Sequence, residues 1–127
     1  MSLFEQIEIT FLNTSDFKIA ISDLDGTLLD DNQRIPCGTI ETIRNFKSKG
    51  GLFTIASGRN EASVKPFVEE LGIDVPYIVL NGAKIVSGEK VIFEEKLPRE
   101  LAHEAIKHLR KFDCSIFLHI GKQTYIE

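Results

Sequence analysis

Two aspartates separated by one residue stand directly after an apolar stretch near the start of the chain. The run 18–22 leads into the sequence DLDGT at 23–27. A carboxylate at the end of a strand can attack a phosphoryl group, and Asp23 has this position. A second carboxylate two residues further on, Asp25, can protonate the leaving oxygen and later activate water. Because buried carboxylates are costly unless paired or metal-bound, a core strand does not normally end in two of them, and the pattern favours a functional role.

The residues that follow fit the same chemistry. Gly26 allows a tight turn, and Thr27 offers a hydroxyl and a backbone N–H, so both are expected beside a bound phosphate. Mg²⁺ would neutralise the repulsion between the acids and the phosphate, because this ion prefers oxygen ligands. The alternative is a capped turn in which Asp25 bonds its own backbone. The apolar strand before DLDGT favours the functional interpretation.

Ser57, Gly58 and Arg59 form a second group, placed after the apolar run 52–56. A hydroxyl, a backbone N–H and a helix terminus can converge on a phosphate oxygen at such a position. Arg59 can add a charge-assisted hydrogen bond. The alternative is a serine that caps the helix and an arginine in solvent. The acidic strand end elsewhere in the chain favours phosphate binding.

A parallel α/β sheet would bring the two groups together. Apolar runs predict three strands, at 18–22, 52–56 and 77–80. Two helices are expected between them, at 36–49 and 61–71. This order predicts a doubly wound, Rossmann-like sheet, in which ligands bind at the carboxyl ends of the strands. We expect the first strand to be buried rather than half-exposed.

The second half of the chain has a different pattern. A hairpin is predicted at 84–94, a helix at 97–112 and another hairpin at 114–126. This antiparallel α+β arrangement places a domain boundary near residue 83, between a core at 1–83 and a second unit at 84–127. The second unit's helix is expected to turn four apolar side chains inward: Leu101, Ala105, Leu109 and Phe112.

Two local features add to this outline. Pro66 lies inside the second predicted helix and should kink it or break its first turns. Residues 7–11 alternate between apolar and polar side chains, which predicts a half-buried strand upstream of the acidic motif.

Composition narrows the class of protein. The 127 residues are 43% hydrophobic and 27% charged, as in ordinary globular proteins. The net charge of −4 gives no indication of a basic surface that would bind nucleic acid. No apolar run is long enough to cross a membrane, and no signal peptide is visible. Cys37 and Cys114 have no metal-type spacing and indicate free thiols in the cytoplasm. The histidines, His103, His108 and His119, are expected on the surface.

On these motifs the chain resembles the haloacid dehalogenase-like (HAD) phosphatase superfamily. The similarity is carried by IAISDLDGTLL at 19–29, TIASGRN at 54–60 and VLNGA at 79–83. It extends over 17–127, and it is greatest to the Cof-type branch, whose members act on sugar phosphates and other small phosphorylated metabolites. In that branch an α/β cap follows the third core strand, so residues 84–127 would be the start of a cap.

The resemblance implies a role for each matching residue. Asp23 would be the nucleophile and a Mg²⁺ ligand. Asp25 would be the acid and base, with its backbone carbonyl as a second metal ligand. Ser57 would bind the transferring phosphoryl group. Four further residues would support the wall of the site: Gly58, Arg59, Asn81 and Gly82.

The chain also departs from the family pattern. The family needs a later lysine beside the nucleophile and a later acidic Gly-Asp sequence that completes the metal site. No Gly-Asp pair occurs in this sequence. Lys84, Lys90 and Lys96 stand at the entry to the cap and do not match the missing lysine. We therefore expect an incomplete HAD core and a sequence that stops within the cap.

Three functions follow as hypotheses. The first is a Mg²⁺-dependent phosphatase that acts through an aspartyl-phosphate. The second is a catalytically incomplete chain that only binds phosphate or Mg²⁺, or that associates with other chains. The third is a phosphomutase with the same nucleophile. Without the family's later strands, 18–22 would form an apolar edge. We expect that edge to be covered by 7–11 or by a second copy of the chain.

Overall fold

A computed structural model describes residues 18–121 and 123–127. Its strands are β1 (Ile19–Ser22), β2 (Leu52–Ile55), β3 (Tyr77–Val79), β4 (Lys84–Ser87), β5 (Lys90–Glu94), β6 (Phe117–Ile120) and β7 (Gln123–Ile126). Its α-helices are α1 (Cys37–Ser48), α2 (Glu61–Glu70) and α3 (Arg99–Leu109). The strand predicted at 7–11 lies outside the described residues, as does the proposed cover of the sheet edge. None of the described helices is long and apolar enough to span a bilayer.

The first half of the chain forms the predicted parallel α/β arrangement. Strands β1 and β2 run parallel with Ile19 opposite Leu52, and α1 connects them. A parallel bridge between Ala56 and Ile78 places β3 beside the end of β2, and α2 lies between these two strands in sequence. The carboxyl ends of β1, β2 and β3 therefore meet at one edge, where the candidate residues follow each strand.

Twelve buried apolar side chains form the core of this half. They come from the turn after β1, the following loop, both helices and strands β2 to β4: Leu24, Leu28, Leu29, Ile35, Ile43, Phe53, Ile55, Val64, Leu71, Tyr77, Val79 and Val86. Each aliphatic side chain that is fully buried contributes about 1.5–3 kcal/mol to stability. The core thus supports the turns that hold the candidate residues.

The expectation that β1 is buried is wrong. Ile19 is 47% exposed and Ile21 is 55% exposed, although their alternate neighbours are half-buried. These side chains are exposed because β1 pairs only with β2 in the described part of the chain, so no described strand lies along its other edge. Among the described residues, β1 is therefore an edge strand with exposed apolar side chains.

Pro66 does not break its helix. One continuous helix, α2, includes Pro66 in its interior. Its apolar face remains in the core through Val64 and Leu71, with Phe67 and Val68 half-buried beside them. This packing compensates for the backbone hydrogen bond that a proline cannot donate.

The second half contains both predicted hairpins. Strand β4 pairs antiparallel with β3 and with β5, and β6 pairs antiparallel with β7. The boundary near residue 83 stays a prediction, since β3 and β4 belong to one three-stranded sheet.

The side chains expected to point inward from α3 do not do so. Leu101 and Phe112 are 52% and 59% exposed, and Ala105 and Leu109 are also exposed. The half-buried apolar residues of this helix are Ala102 and Ile106. The predicted stripe was displaced by one position because each side of α3 carries apolar residues and the described part of the chain covers only one of them.

Candidate active site

Asp23 begins the turn that follows β1. Its backbone is extended, and its Oδ1 accepts a hydrogen bond of 2.7 Å from the backbone N–H of Leu24. Gly26 has φ +71°, a conformation that favours glycine, so its predicted role in the turn is confirmed. Leu24 and Leu28 anchor the turn in the core. The carboxylate of Asp23 is thereby held at the end of the strand, in an exposed turn whose two leucines are buried.

Ser57 and Gly58 form the turn after β2. Ser57 is buried, its backbone N–H donates to the carbonyl of Ile78 at 3.0 Å, and its hydroxyl accepts from the N–H of Arg59 at 3.2 Å. A side chain at position 58 would place Cβ 2.8 Å from Oδ1 of Asn81. A larger residue at position 58 would therefore displace the side chain of Asn81.

The turn after β3 has an unusual backbone. Leu80 has φ +53° and Asn81 has φ +54°, a region that is costly for a leucine. Two cross-turn hydrogen bonds hold this conformation: Leu80 N–H to the carbonyl of Arg59 at 3.0 Å, and Asn81 N–H to that of Ser57 at 3.2 Å. Nothing in the sequence indicated a left-handed leucine at this position.

These three turns enclose a small cleft. Its volume is about 190 Å³, and its lining contains five of the predicted site residues, Asp23, Ser57, Gly58, Asn81 and Gly82, together with Ala56 and Ile78. A carboxylate, a hydroxyl, an amide and glycine backbone thus face one space that is large enough for a phosphate group. Gly26 and Thr27, which were expected beside the phosphate, are exposed and do not line it.

Asp25 and Arg59 contact each other instead of the cleft. Arg59 Nε donates to Asp25 Oδ2 at 2.8 Å, and Nη2 donates to Oδ1 at 2.5 Å. Nη2 also donates to the side-chain oxygen of Gln33, and the guanidinium carbon lies 5.6 Å from the centre of the Phe67 ring. The hydrogen bonds from Arg59 hold the pKa of Asp25 below its usual value. Gln33 was not predicted, since no signal in the sequence marks it.

A polar contact connects this region to the second half of the chain. Asn60 caps α2, because its Oδ1 accepts from the N–H of Ser63 at 2.9 Å. Its Nδ2 donates to the hydroxyl of Thr124 at 3.0 Å, and that hydroxyl lies 2.9 Å from Nδ1 of His119. The β6–β7 hairpin therefore reaches the turn that carries Ser57.

A buried ion pair joins the first turn of α2 to strand β4. Lys84 is 5% exposed, and its Nζ lies 2.9 Å from Glu61 Oε2 and 3.6 Å from Glu94 Oε1. Oε2 of Glu61 is buried and has no well-aligned hydrogen bond, so the contact is mainly ionic. The contact with Glu61 raises the pKa of Lys84. This lysine has a partner within the fold and does not line the cleft.

The donor set at the cleft fits a hydrated magnesium ion. Asp23 supplies a carboxylate at the strand end, and Mg²⁺ commonly takes one or two carboxylates and keeps several waters. Across 18–121 and 123–127, no three His, Cys, Asp or Glu side chains are grouped closely enough to hold a metal. The carboxylate of Asp25 is bound to Arg59, which leaves Asp23 as the acidic side chain that lines the cleft.

Comparison with known proteins identifies the family. The family model of the haloacid dehalogenase-like hydrolases matches residues 20–127. The chain is 37% identical over 92 residues to YkrA of Bacillus subtilis, a protein that is named a phosphatase by inference. This match covers 72% of the chain and 35% of YkrA. It is 32% identical over 112 residues to the pyridoxal phosphate phosphatase YbhA of Escherichia coli, covering 87% of the chain and 39% of YbhA.

The solved structures agree with the sequence matches. The fold superposes on the HAD subclass IIB sugar phosphatase BT4131 with a TM-score of 0.75 and 29% identity, covering 86% of the chain and 43% of BT4131. The chain therefore belongs to the haloacid dehalogenase-like hydrolase family. It spans about two fifths of the length of these relatives.

Proposed function

We propose that this chain carries the nucleophile and phosphate-binding part of a magnesium-dependent phosphatase that acts on small phosphorylated metabolites. The observation that carries the proposal is the cleft itself. Asp23 and Ser57 face one space of about 190 Å³ at the meeting point of three strand ends. The names of YbhA and BT4131 support phosphate esters of vitamins or sugars as the substrate class.

The proposed chemistry has two steps. A carboxylate oxygen of Asp23 attacks phosphorus in line, which forms an aspartyl-phosphate and breaks the bond to the leaving alcohol. Asp25 gives a proton to the leaving oxygen. In the second step Asp25 takes a proton from water, which attacks phosphorus and releases inorganic phosphate and free Asp23.

Other residues bind rather than react. The hydroxyl of Ser57 and the backbone N–H groups of the turn bind the phosphoryl oxygens. Asn81 and Gly82 form the opposite wall, and the hydrogen bond from the Asn81 N–H to the carbonyl of Ser57 joins the two walls. When bound, Mg²⁺ would be held by Asp23 and the backbone carbonyl of Asp25, and it would neutralise charge on the phosphate.

The setting and domain roles are part of the proposal. We assign the chain to the cytoplasm, which the free thiols of Cys37 and Cys114 support. We assign residues 1–83 to the core and 84–127 to the start of a cap that selects the substrate. No nucleic acid or membrane partner is proposed.

A second candidate is a phosphate-binding module without turnover. It is favoured by Asp25, whose carboxylate is bound to Arg59 and does not line the cleft. Phosphate would bind at the cleft, but the leaving oxygen would have no proton donor.

Hydrolysis of an aryl phosphate tests the proposal and separates the candidates. The 127-residue chain is assayed with Mg²⁺ and with a chelator, beside Asp23→Asn and the charge-matched control Asp31→Asn. We expect turnover that needs Mg²⁺, is lost in Asp23→Asn and is kept in Asp31→Asn. Folded wild-type protein that binds phosphate without turnover would favour the second candidate. Equal turnover in Asp23→Asn would contradict both.

A further inference from the structure

The Asp25–Arg59 pair lies immediately beside the cleft without lining it. Asp25 is two positions from Asp23 and Arg59 is two positions from Ser57, and both of these neighbours line the cleft. The pair therefore joins the turn after β1 to the turn after β2 at the rim of the candidate site.

Arg59 binds the Asp25 carboxylate in a bidentate geometry. Two nitrogens of Arg59 contact the two oxygens of Asp25, at 2.8 and 2.5 Å. Carboxylate and phosphate are the two anions that match a guanidinium in this way. A phosphate in the cleft would therefore present to Arg59 the same kind of partner that Asp25 presents now.

The pair is also accessible enough to exchange. The side chain of Asp25 is 49% exposed and that of Arg59 is 26% exposed. Ion pairs in contact with water are weak, because water competes for both partners. A dianion held nearby by the turns of the cleft can compete with a single carboxylate for the guanidinium.

A neutral side chain, that of Gln33, also accepts a hydrogen bond from the guanidinium. This residue lies in a loop closed by Asp30, whose Oδ1 accepts from the N–H groups of Asn32 and Arg34 at 2.9 Å each. Its backbone has φ +60°, and its side-chain oxygen accepts from Nη2 of Arg59. This neutral anchor does not depend on which anion Arg59 binds.

We propose that Arg59 is a positioning residue that exchanges anions: it holds Asp25 beside the cleft until a phosphate competes for its guanidinium and releases the Asp25 carboxylate. The inference rests on the proposed function for the identity of the ligand. It explains how one arginine serves both as a phosphate-binding residue and as the partner of the acid.

The test is the affinity for inorganic phosphate, measured by titration calorimetry in magnesium buffer. Asp25→Asn should bind phosphate about twofold to fivefold more tightly than wild type, the range expected for removal of a half-exposed competing ion pair. The matched control Asp31→Asn removes the same charge from an exposed residue two positions beyond the turn and should change affinity less. The double variant Asp25→Asn/Arg59→Gln should not show this increase in phosphate affinity, because the guanidinium that would bind the phosphate is absent.

The outcomes are decisive without any turnover. The proposal would be overturned if Asp25→Asn and Asp31→Asn increased the affinity for phosphate equally. It would also be overturned if the double variant kept the increased affinity of Asp25→Asn. Absence of phosphate binding in wild type and in Asp25→Asn would overturn it as well. If the chain binds phosphate but does not hydrolyse an aryl phosphate, the expected differences in phosphate affinity among the variants still hold. The proposed hydrolysis and the proposed exchange at Arg59 can therefore fail separately. A direct second readout is the Arg59 Nε–H resonance, which should shift in wild type on addition of phosphate and remain unshifted if the pair persists.

Discussion

At the level of single residues, Asp23 and Asp25 have different surroundings although only one residue separates them. Asp23 accepts from a backbone N–H and faces the cleft, whereas Asp25 is bound by a guanidinium beside it. A general acid works best when its pKa is near the operating pH. The pair with Arg59 lowers the pKa of Asp25 and so moves it further from that range. Release of this carboxylate is therefore part of any catalytic role.

The first prediction concerns the titration of Asp25. Because its pKa is lowered, the pair with Arg59 stabilises the fold above the usual value of 3.8 and loses this contribution as the pH falls through the lowered pKa. In the metal-free chain, the carboxyl ¹³C resonance of Asp25 should have its midpoint below 3.8, and Arg59→Gln should raise that midpoint. Equal midpoints in the two proteins would show that Arg59 does not bind Asp25 in solution.

The second prediction concerns the buried ion pair. Lys84→Met leaves the carboxylate of Glu61 buried without its nearest cation, which should lower the free energy of unfolding by about 3–5 kcal/mol. Urea unfolding measures the loss. The double variant Lys84→Met/Glu61→Gln should recover part of it, because no buried charge remains.

A matched control is the exposed pair of Lys65 and Glu89, at 2.9 Å. Lys65→Met should change stability little, since exposed ion pairs are weak. Equal losses in Lys84→Met and Lys65→Met would mean that Lys84 is solvated rather than paired inside the fold.

At the level of elements, Asn60 performs two tasks for α2 with one side chain. Its oxygen caps the helix and its nitrogen contacts Thr124 of β7. Asn60→Ala should lower the free energy of unfolding by about 1 kcal/mol through loss of the cap. Asn60→Asp keeps the cap acceptor and removes the donor, so its stability should stay near that of wild type in urea unfolding. If Asn60→Asp loses as much as Asn60→Ala, the contact with Thr124 matters more than the cap.

The sequence predicted the elements that have a strong local pattern. Strands β1 to β3 and helices α1 and α2 follow from apolar runs and 3.6-residue periodicity, and Pro66 did not overcome the packing of α2. The apolar stripe of α3 was misplaced because burial depends on which neighbours cover a helix, and periodicity alone does not contain that information.

The sequence predicted the site less completely. Motif positions placed five residues around one cleft, because the ends of parallel strands converge. The bond between Asp25 and Arg59 was not predicted, since it depends on side-chain directions in two separate turns. The left-handed Leu80 was not predicted either, because its conformation is fixed by hydrogen bonds to the turn after β2.

At the level of the whole molecule, the two halves differ in burial. Buried residues extend from Leu24 to Val86, and none of the described residues after Val86 is buried. Three large apolar side chains of the second half, Phe93, Phe117 and Ile126, are 44%, 60% and 68% exposed. The second half thus exposes several large apolar side chains, whereas the candidate cleft lies in the first half and the core extends beyond that half only into β4.

Chemical trapping would show whether Asp23 carries the phosphoryl group. The chain is mixed with Mg²⁺ and an aryl phosphate, quenched in acid and treated with borohydride, which reduces an aspartyl-phosphate to homoserine. Mass spectrometry of the peptides should find homoserine at position 23 in wild type and none in Asp23→Asn. Reduction at a different residue, or no reduced residue in folded wild-type protein, would contradict the claim.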